Sequence, residues 1–318
     1  MTSSIRLTHH RLEDGTRDLL GKEITERVTA AELEPDADEA ILARIGAQAL
    51  SRYLAGEILH GIHMFSVTAR HALLLQNLPT QRFPATPVNG FGTETELAVI
   101  NALHFGLVQL LGITPFAVNY ENDGRLIRNV IPNPAASGTA SSWGADSEFF
   151  WHTDNPHLPF GDAGANPRLY VPRYLTFYAV RNEERVPTEL AAMEDAVGRL
   201  DELTQRRLQS PSYEVSPPAS NDAGAAGACP LSDTALLEQS SEGLRVRYDR
   251  GTTRARTAEA GAALQTWSDT LATMPSKELC LEPGDFMIFD NYRVLHRRKA
   301  FRPMPPQNAR WLRRCYAS

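Results

Sequence analysis

His152 and Asp154 stand two residues apart in the run Glu148-Phe149-Phe150-Trp151-His152-Thr153-Asp154. The run is aromatic and apolar, and Asn155-Pro156 ends it, so it reads as a β-strand. Alternate side chains of a strand share a face, which projects the imidazole and the carboxylate together. They make up two thirds of the 2-His-1-carboxylate set that holds non-haem Fe(II) with open positions. A bare H-x-D is a weak signal. It gains force from a stretch about 140 residues downstream, 277–301, KELCLEPGDFMIFDNYRVLHRRKAF. Turn chemistry at Pro283-Gly284 and Asp290-Asn291 divides it into three short strands, and His296 lies at the end of the third. The combination of H-x-D with PGD-x4-DN-x-R-x2-H makes His152, Asp154 and His296 the candidate metal ligands. The same donors also suit catalytic zinc.

Beyond them, 309–316 (ARWLRRCY) alternates enough to be a last strand. An arginine fixed there suits bidentate recognition of a co-substrate carboxylate. Arg310, Arg313 and Arg314 compete for that role, and a surface charge cluster is the plain alternative.

These residues need a frame. The stretch 36–62 places Ile41, Leu42, Ile45, Leu50, Tyr53, Leu54, Ile58 and Leu59 at helical spacing, which predicts one helix. His60 and His63 near its end lack a third ligand and read as packing or surface histidines. The apolar run 71–76 has strand length, and 77–92 is a loop. Thr93-Glu94-Thr95-Glu96 has the form of a capping box before a second amphipathic helix ending near Gly112, with His104 in its core. Strands follow at 126–131 and 174–181, and 132–144 is a small, polar loop between them. Pro187-Thr188-Glu189 has the form of a helix start, with Thr188 as N-cap and the helix running to Leu200. The stretch 209–233 is rich in Ser, Pro, Ala and Gly; it is expected to be a flexible insertion or a lid over the site. A final helix is expected over 257–274. Short strands at this spacing suit a β-sandwich or jelly roll, and 1–318 reads as one domain with a helical N-terminal part over about 36–112. Residues 1–35 carry no clear signal.

Composition narrows the function classes. A net charge of −6 gives no basic patch for nucleic acid. No apolar run of membrane-spanning length or signal-peptide core is present. The three cysteines, Cys229, Cys280 and Cys315, form no disulfide framework or zinc knuckle, which suits a cytoplasmic protein acting on a small molecule.

In His152-Thr-Asp154, 174–188 and 281–312 the chain resembles the Fe(II)/2-oxoglutarate-dependent oxygenases of the clavaminate synthase-like group in the taurine dioxygenase superfamily. The resemblance is looser over 36–131. It implies a mainly β fold, a double-stranded β-helix (jelly roll) core with flanking helices. It implies Fe(II) on His152, Asp154 and His296, and 2-oxoglutarate and dioxygen as co-substrates. Arg310, just before Trp311-Leu312, matches the arginine that grips the distal carboxylate of 2-oxoglutarate, and Thr188 matches the threonine that assists it. The implied activity is hydroxylation of an unactivated C–H bond of a free amino acid or small amino-acid-derived compound, such as a cyclic dipeptide, in specialised metabolism of the antibiotic-forming kind. Desaturation or ring formation is the alternative outcome of the same chemistry. From other classes, a zinc hydrolase and a catalytically silent metabolite-binding jelly roll are the alternatives. Candidate substrate contacts are Arg128, Ser142, Trp143, Glu148 and Asp249. Glu148 is expected on the His152 side of the strand, and His157 is not expected to bind metal. Many amino-acid hydroxylases of the group carry Glu where this chain has Asp154, and the segment 156–172 is long for the group.

Overall fold

Strict alternation along buried strands sorts the side chains into three cores. The computed structural model describes residues 3–34, 38–118, 120–161, 169–218 and 229–318. In chain order the strands and helices are β1 (Leu7–Arg11), α1 (Asp14–Ala30), α2 (Glu39–Tyr53), α3 (Gly56–His63), β2 (Ala72–Gln76), α4 (Ala98–Leu110), β3 (Pro115–Phe116), β4 (Ile127–Val130), β5 (Phe149–His152), β6 (Tyr174–Arg181) and β7 (Thr188–Ala192). They continue with α5 (Met193–Val197), α6 (Glu202–Leu208), β8 (Tyr213–Val215), β9 (Leu231–Thr234), β10 (Leu237–Ser240), β11 (Gly243–Val246), β12 (Thr253–Ala255), α7 (Ala258–Thr273), β13 (Lys277–Leu279), β14 (Phe286–Asp290), β15 (Val294–Arg298) and β16 (Trp311–Ala317).

A large sheet runs β1-β2-β14-β6-β16-β3, with β4 also on β16; a smaller one runs β13-β7-β15-β5. Leu175, Phe177, Met287, Phe289, Leu312 and Tyr316 of the large sheet meet Leu190 and Val294 of the small one in a shared core. The opposite-facing residues of the large sheet, among them Tyr178, Phe286, Ile288, Trp311 and Cys315, pack under α1, α2, α3 and α4. Those of the small sheet, Trp151, Ala191 and Leu295, pack against Trp267 and Leu271 of α7. This is a jelly-roll core between flanking helical layers, as the sequence predicts.

α4 is buried nearly all round, and it crosses α2 at two glycines. A Cβ on Gly46 would stand 1.8 Å from the Ala102 carbonyl oxygen, and one on Gly106 would stand 2.5 Å from the Gly46 carbonyl carbon. Backbone meets backbone there, which only a missing side chain permits.

The structure departs from the sequence reading in several places. The single helix expected over 36–62 is two, because Leu54 turns extended (φ −71°, ψ 137°) ahead of Gly56. Thr93 caps nothing; a 3₁₀ turn Glu94–Leu97 precedes α4, and Glu94 instead receives Arg313 and Asn101. Thr188 does not start a helix. It opens β7, all of whose residues are buried, and pairing with β13 and β15 overrides the local N-cap signal; the helix that follows, α5, is short. The first 35 residues supply β1, parallel to β2, and α1, whose buried residues are Leu20 and Ile24. Within 209–233, β8 and the start of β9 are ordered pairing strands, while 219–228, the centre of the expected lid, lies outside the described residues. The expected strands at 126–131 and 174–181 and the helix at 257–274 correspond to β4, β6 and α7, and Thr257 caps α7 through the Ala260 N–H. Among the described residues no helix is long and apolar enough to cross a membrane, and the three cysteines are free thiols.

Candidate metal and co-substrate site

β5 and β15 run antiparallel with His152 directly opposite His296. Trp151 and Leu295 turn to the outer core, so both histidines face the space between the sheets. Asp154, just past β5, turns the same way: its Oδ1 lies 3.4 Å from His152 Nε2 and 3.4 Å from His296 Nε2. One ligand atom from each residue falls within 4.8 Å of the others, and all three residues are buried.

His152 Nδ1 donates to the Phe150 carbonyl at 2.6 Å, which turns the Nε2 lone pair into the cavity, where it has no hydrogen-bond partner. Burial pushes His296 down to about 4, with the neighbouring His152 adding to the effect, so at neutral pH its imidazole is uncharged as a metal ligand must be. Burial pushes the Asp154 carboxyl up, but Arg314 and the two histidines overcome this and hold it well below the usual carboxylate range. The uncharged His296 imidazole, the His152 Nε2 turned toward it and an ionised carboxylate, converging in a buried pocket, fit a divalent cation. They are the facial set used for non-haem Fe(II).

The carboxylate is fixed from behind. Asp154 Oδ2 accepts from Arg314 Nη1 at 2.7 Å and from the Tyr316 hydroxyl at 3.1 Å. Arg314 also ion-pairs with Glu121, which in turn meets Arg128 at 3.3 Å. Asn291, from the Asp-Asn turn, accepts from the Asp154 N–H at 2.9 Å and donates to its carbonyl at 3.2 Å.

The three competing arginines separate by strand parity. Arg313 points to the helical side, into Glu94, Asn101 and Asn129. Arg310 and Arg314 point between the sheets and line the metal cavity with Thr188, Phe149, Phe177 and Ser142. Arg310 Nη2 donates to Thr188 Oγ1 at 3.4 Å, while its Nε is buried without a partner. The side chain forms no ion pair among the described residues, and burial beside Arg298 pushes it down to about 9. A buried guanidinium left without a carboxylate is costly, and the arrangement suits a carboxylate delivered by a bound molecule.

Outward from the metal cavity, across the Phe149 ring that stacks on His152 (centroids 3.7 Å apart), lies a cleft of about 680 Å³, within the roughly 300–1,000 Å³ usual for small-molecule sites. Trp143, Phe149, Phe150 and Asp249 line it. Ser142 lines the inner cavity. Arg128 lies behind the cleft wall, its guanidinium 4.3 Å from the Trp143 ring centroid. Glu148 falls outside β5, so the alternation does not extend to it; its carboxylate approaches Arg297 at 3.8 Å. His157 bonds the Tyr120 hydroxyl and no metal ligand. His104 bonds Thr176 in the core, and neither His60 nor His63 joins a metal cluster among the described residues.

Sequence reasoning missed Glu121, Tyr316 and Asn291, and considered Arg314 only as a rival to Arg310. The period-2 pattern carried a signal for two of them, since Arg310, Leu312, Arg314 and Tyr316 share a face. Glu121 sits in a loop with no such pattern.

Residues 82–316 match the sequence profile of the taurine catabolism dioxygenase TauD, TfdA family. The chain is 25% identical over 238 residues to enduracididine beta-hydroxylase of Streptomyces hygroscopicus, covering 65% of this chain and 64% of that protein. It is 26% identical over 184 residues to L-lysine 4-hydroxylase of Flavobacterium sp. (strain CF136), covering 56% and 46%. The match thus spans less than two thirds of either relative's length. Among solved structures, asparagine oxygenase in complex with Fe(II), 2S,3S-3-hydroxyasparagine and succinate superposes with a TM-score of 0.80 at 22% identity, covering 97% of this chain and 92% of that one. The non-heme iron oxygenase OrfP in complex with Fe and alpha-ketoglutaric acid gives 0.79 at 22% identity, covering 97% and 93%. The chain belongs to the taurine catabolism dioxygenase TauD, TfdA family.

Proposed function

We propose that the protein is an Fe(II)/2-oxoglutarate-dependent dioxygenase that hydroxylates an unactivated C–H bond of a free amino acid or small amino-acid-derived compound. The observation that carries the reading is the buried His152–Asp154–His296 set sharing one cavity with the unpaired Arg310. Iron(II) bound with 2-oxoglutarate and dioxygen supplies the oxidation, forming succinate and carbon dioxide. His152, Asp154 and His296 hold the metal. Arg310 and Thr188 receive the distal carboxylate of 2-oxoglutarate, a charge-assisted contact that matches a planar fork to two oxygens.

Arg314 and Tyr316 occupy Asp154 Oδ2, leaving Oδ1 as the oxygen presented to the metal. Phe149 and Phe177 exclude water from the inner cavity. Trp143 and Asp249 orient substrate at the cleft, and Ser142 does so from the inner cavity. Arg128 acts from behind Trp143, and Glu148 acts through Arg297. The named activities of the relatives, on enduracididine, lysine and asparagine, support an amino-acid-like substrate.

The test is anaerobic absorbance with Fe(II) and 2-oxoglutarate, followed by succinate release in air over a panel of amino acids and their derivatives. A charge-transfer band that disappears in His296→Ala, with substrate-stimulated succinate in the wild type, is expected. Hydrolytic turnover with zinc and no 2-oxoglutarate consumption would overturn the proposal.

A further inference from the structure

Resting on that reading, we infer that the body of the substrate is a flat aromatic or heteroaromatic ring, which stacks on Trp143 beside Phe149 at the entrance to the metal cavity. Trp143 is held as a fixed platform. Its Nε1 donates to the Asn129 carbonyl at 2.9 Å. Asn129 in turn donates from Nδ2 to the Gly90 carbonyl at 2.9 Å. The Gly90 backbone thereby lies against the edge of the indole, where a Cβ would stand 2.5 Å from Trp143 Cζ2. Gly90 has φ +90°, so both its backbone and its neighbour require the bare Cα. The buried Arg128 guanidinium lies 4.3 Å from the Trp143 ring centroid and covers one face. With one face and two edges engaged, the half-buried ring turns its remaining surface to the outer cleft.

Phe149 reaches the same cleft by a different device. Between β5 and β15, His152 pairs with His296 and Phe149 with Arg298, three steps along one strand against two along the other. The extra residue is a β-bulge. It returns Phe149 to the side of His152, where strict alternation would turn it away. The two rings stack, 23° from parallel. Phe149 lines both the outer cleft and the metal cavity, and so marks the passage between them. Phe150, the next residue, is 36% exposed on the cleft wall. Aromatic rings left open around a cavity, the largest of them fixed from behind, suit a ligand that stacks. Asp249 and Arg250 share the cleft; they bear on the charges at the ends of a substrate, and the rings on its body.

The experiment titrates the anaerobic Fe(II)–2-oxoglutarate protein with three sets of side chains: phenylalanine and tryptophan; cyclohexylalanine, a saturated ring of similar bulk; and leucine, lysine and asparagine. Each is offered as the free amino acid and as its N-acetyl methylamide. The charge-transfer band reports binding without turnover. In at least one of the two forms, the aromatic compounds are expected to perturb the band with about tenfold lower Kd than leucine, lysine and asparagine, and about fivefold lower than cyclohexylalanine. Trp143→Leu keeps apolar volume and loses the ring. It is expected to weaken the aromatic ligands about fivefold and cyclohexylalanine hardly at all, and Trp143→Phe to restore most of the loss. The substrate-free band checks that each variant keeps its metal site. Saturated or polar side chains binding as tightly as the aromatic ones would overturn the inference. So would a Trp143→Leu protein that loses both ring types equally, or an intact wild-type band that no compound perturbs. A wild-type protein that gives no band at all refutes the oxygenase reading beneath it, a separate outcome.

Discussion

Replacing Arg310 by alanine separates ligand recognition from structural support, because the two reasons for a buried arginine predict opposite results. In the free protein the guanidinium is 4% exposed, forms no ion pair among the described residues, and has its pKa pushed from 12.5 to about 9 by burial. At about 1.36 kcal/mol per pH unit, that depression is on the order of 5 kcal/mol of unfavourable charge burial. Truncation removes this cost along with the stem's packing and one long bond to Thr188, so stability without ligand should fall by no more than about 1 kcal/mol. With 2-oxoglutarate, truncating a buried charge pair costs about 3 kcal/mol, or roughly 150-fold in Kd. A co-substrate concentration 100 times the wild-type Kd stabilises wild type by about 2.7 kcal/mol. At that concentration the variant gains only RT ln(1 + 100/150), about 0.3 kcal/mol. Anaerobic thermal unfolding with Fe(II), with and without 2-oxoglutarate, reads both numbers. An Arg310→Ala protein destabilised by about 3 kcal/mol without ligand, yet retaining the wild-type ligand shift, would refute the reasoning.

Arg314→Met leaves Asp154 and Glu121 facing each other without their shared cation, and should weaken Fe(II) or Co(II) binding by roughly 10–100-fold; Tyr316→Phe, which removes one uncharged hydroxyl shared between the two carboxylates, should do markedly less, and metal titration distinguishes them. Gly46→Ala drives a Cβ into the Ala102 carbonyl and should cost about 3 kcal/mol or more, seen as a Tm lowered by roughly 5 °C; an unchanged Tm would show that the α2–α4 crossing can slide apart. Acid should weaken the apoprotein before its carboxylates protonate. Burial pushes His104 to about 3 and His157 to about 4, so between those values and 6.5 the unfolded chain binds more protons. Stability is therefore full above about pH 6.5 and falls as the pH drops, by up to on the order of 3 kcal/mol for His157 at pH 4. Urea unfolding at pH 7, 6 and 5 should show the decline, and His157→Gln should make it shallower, leaving the shares of His104 and His296.

The His152–Asp154–His296 cluster was legible because its spacing and its strands share one period. A two-residue step on β5 and a turn-delimited β15 leave little freedom over where His152, Asp154 and His296 point. The Arg310–Thr188 contact was readable through resemblance alone, since strand content by itself left three arginines in competition. Thr188 shows why local signals fail. A Pro-Thr-Glu helix start is worth about 1 kcal/mol, less than pairing with two neighbouring strands returns. β1 and α1 were illegible because α1 buries so few side chains that its pattern carries no stripe. Glu121 was invisible because its partners, Arg128, Arg314 and Tyr316, come from distant strands and a loop position has no periodicity to betray them.

The proposed metal and co-substrate residues sit on or beside β5, β7, β15 and β16, whose neighbours interlock in the core between the sheets. The outer cleft is built from different material, the turns around 133–143 and 249–252. The first of these is tied to the frame by Arg298, which donates to the Ser141 carbonyl and to those just after the turn at 144–147, and by its own Trp143 side chain, whose Nε1 donates to the Asn129 carbonyl. Backbone tethers are indifferent to side-chain identity, so apart from Trp143 these loops can change sequence without disturbing the proposed metal cavity. The division makes the scaffold a reusable engine with an exchangeable mouthpiece. Exchanging the 133–143 and 249–252 turns with those of a relative should carry that relative's substrate choice across, while Fe(II) and 2-oxoglutarate affinity stay with the recipient.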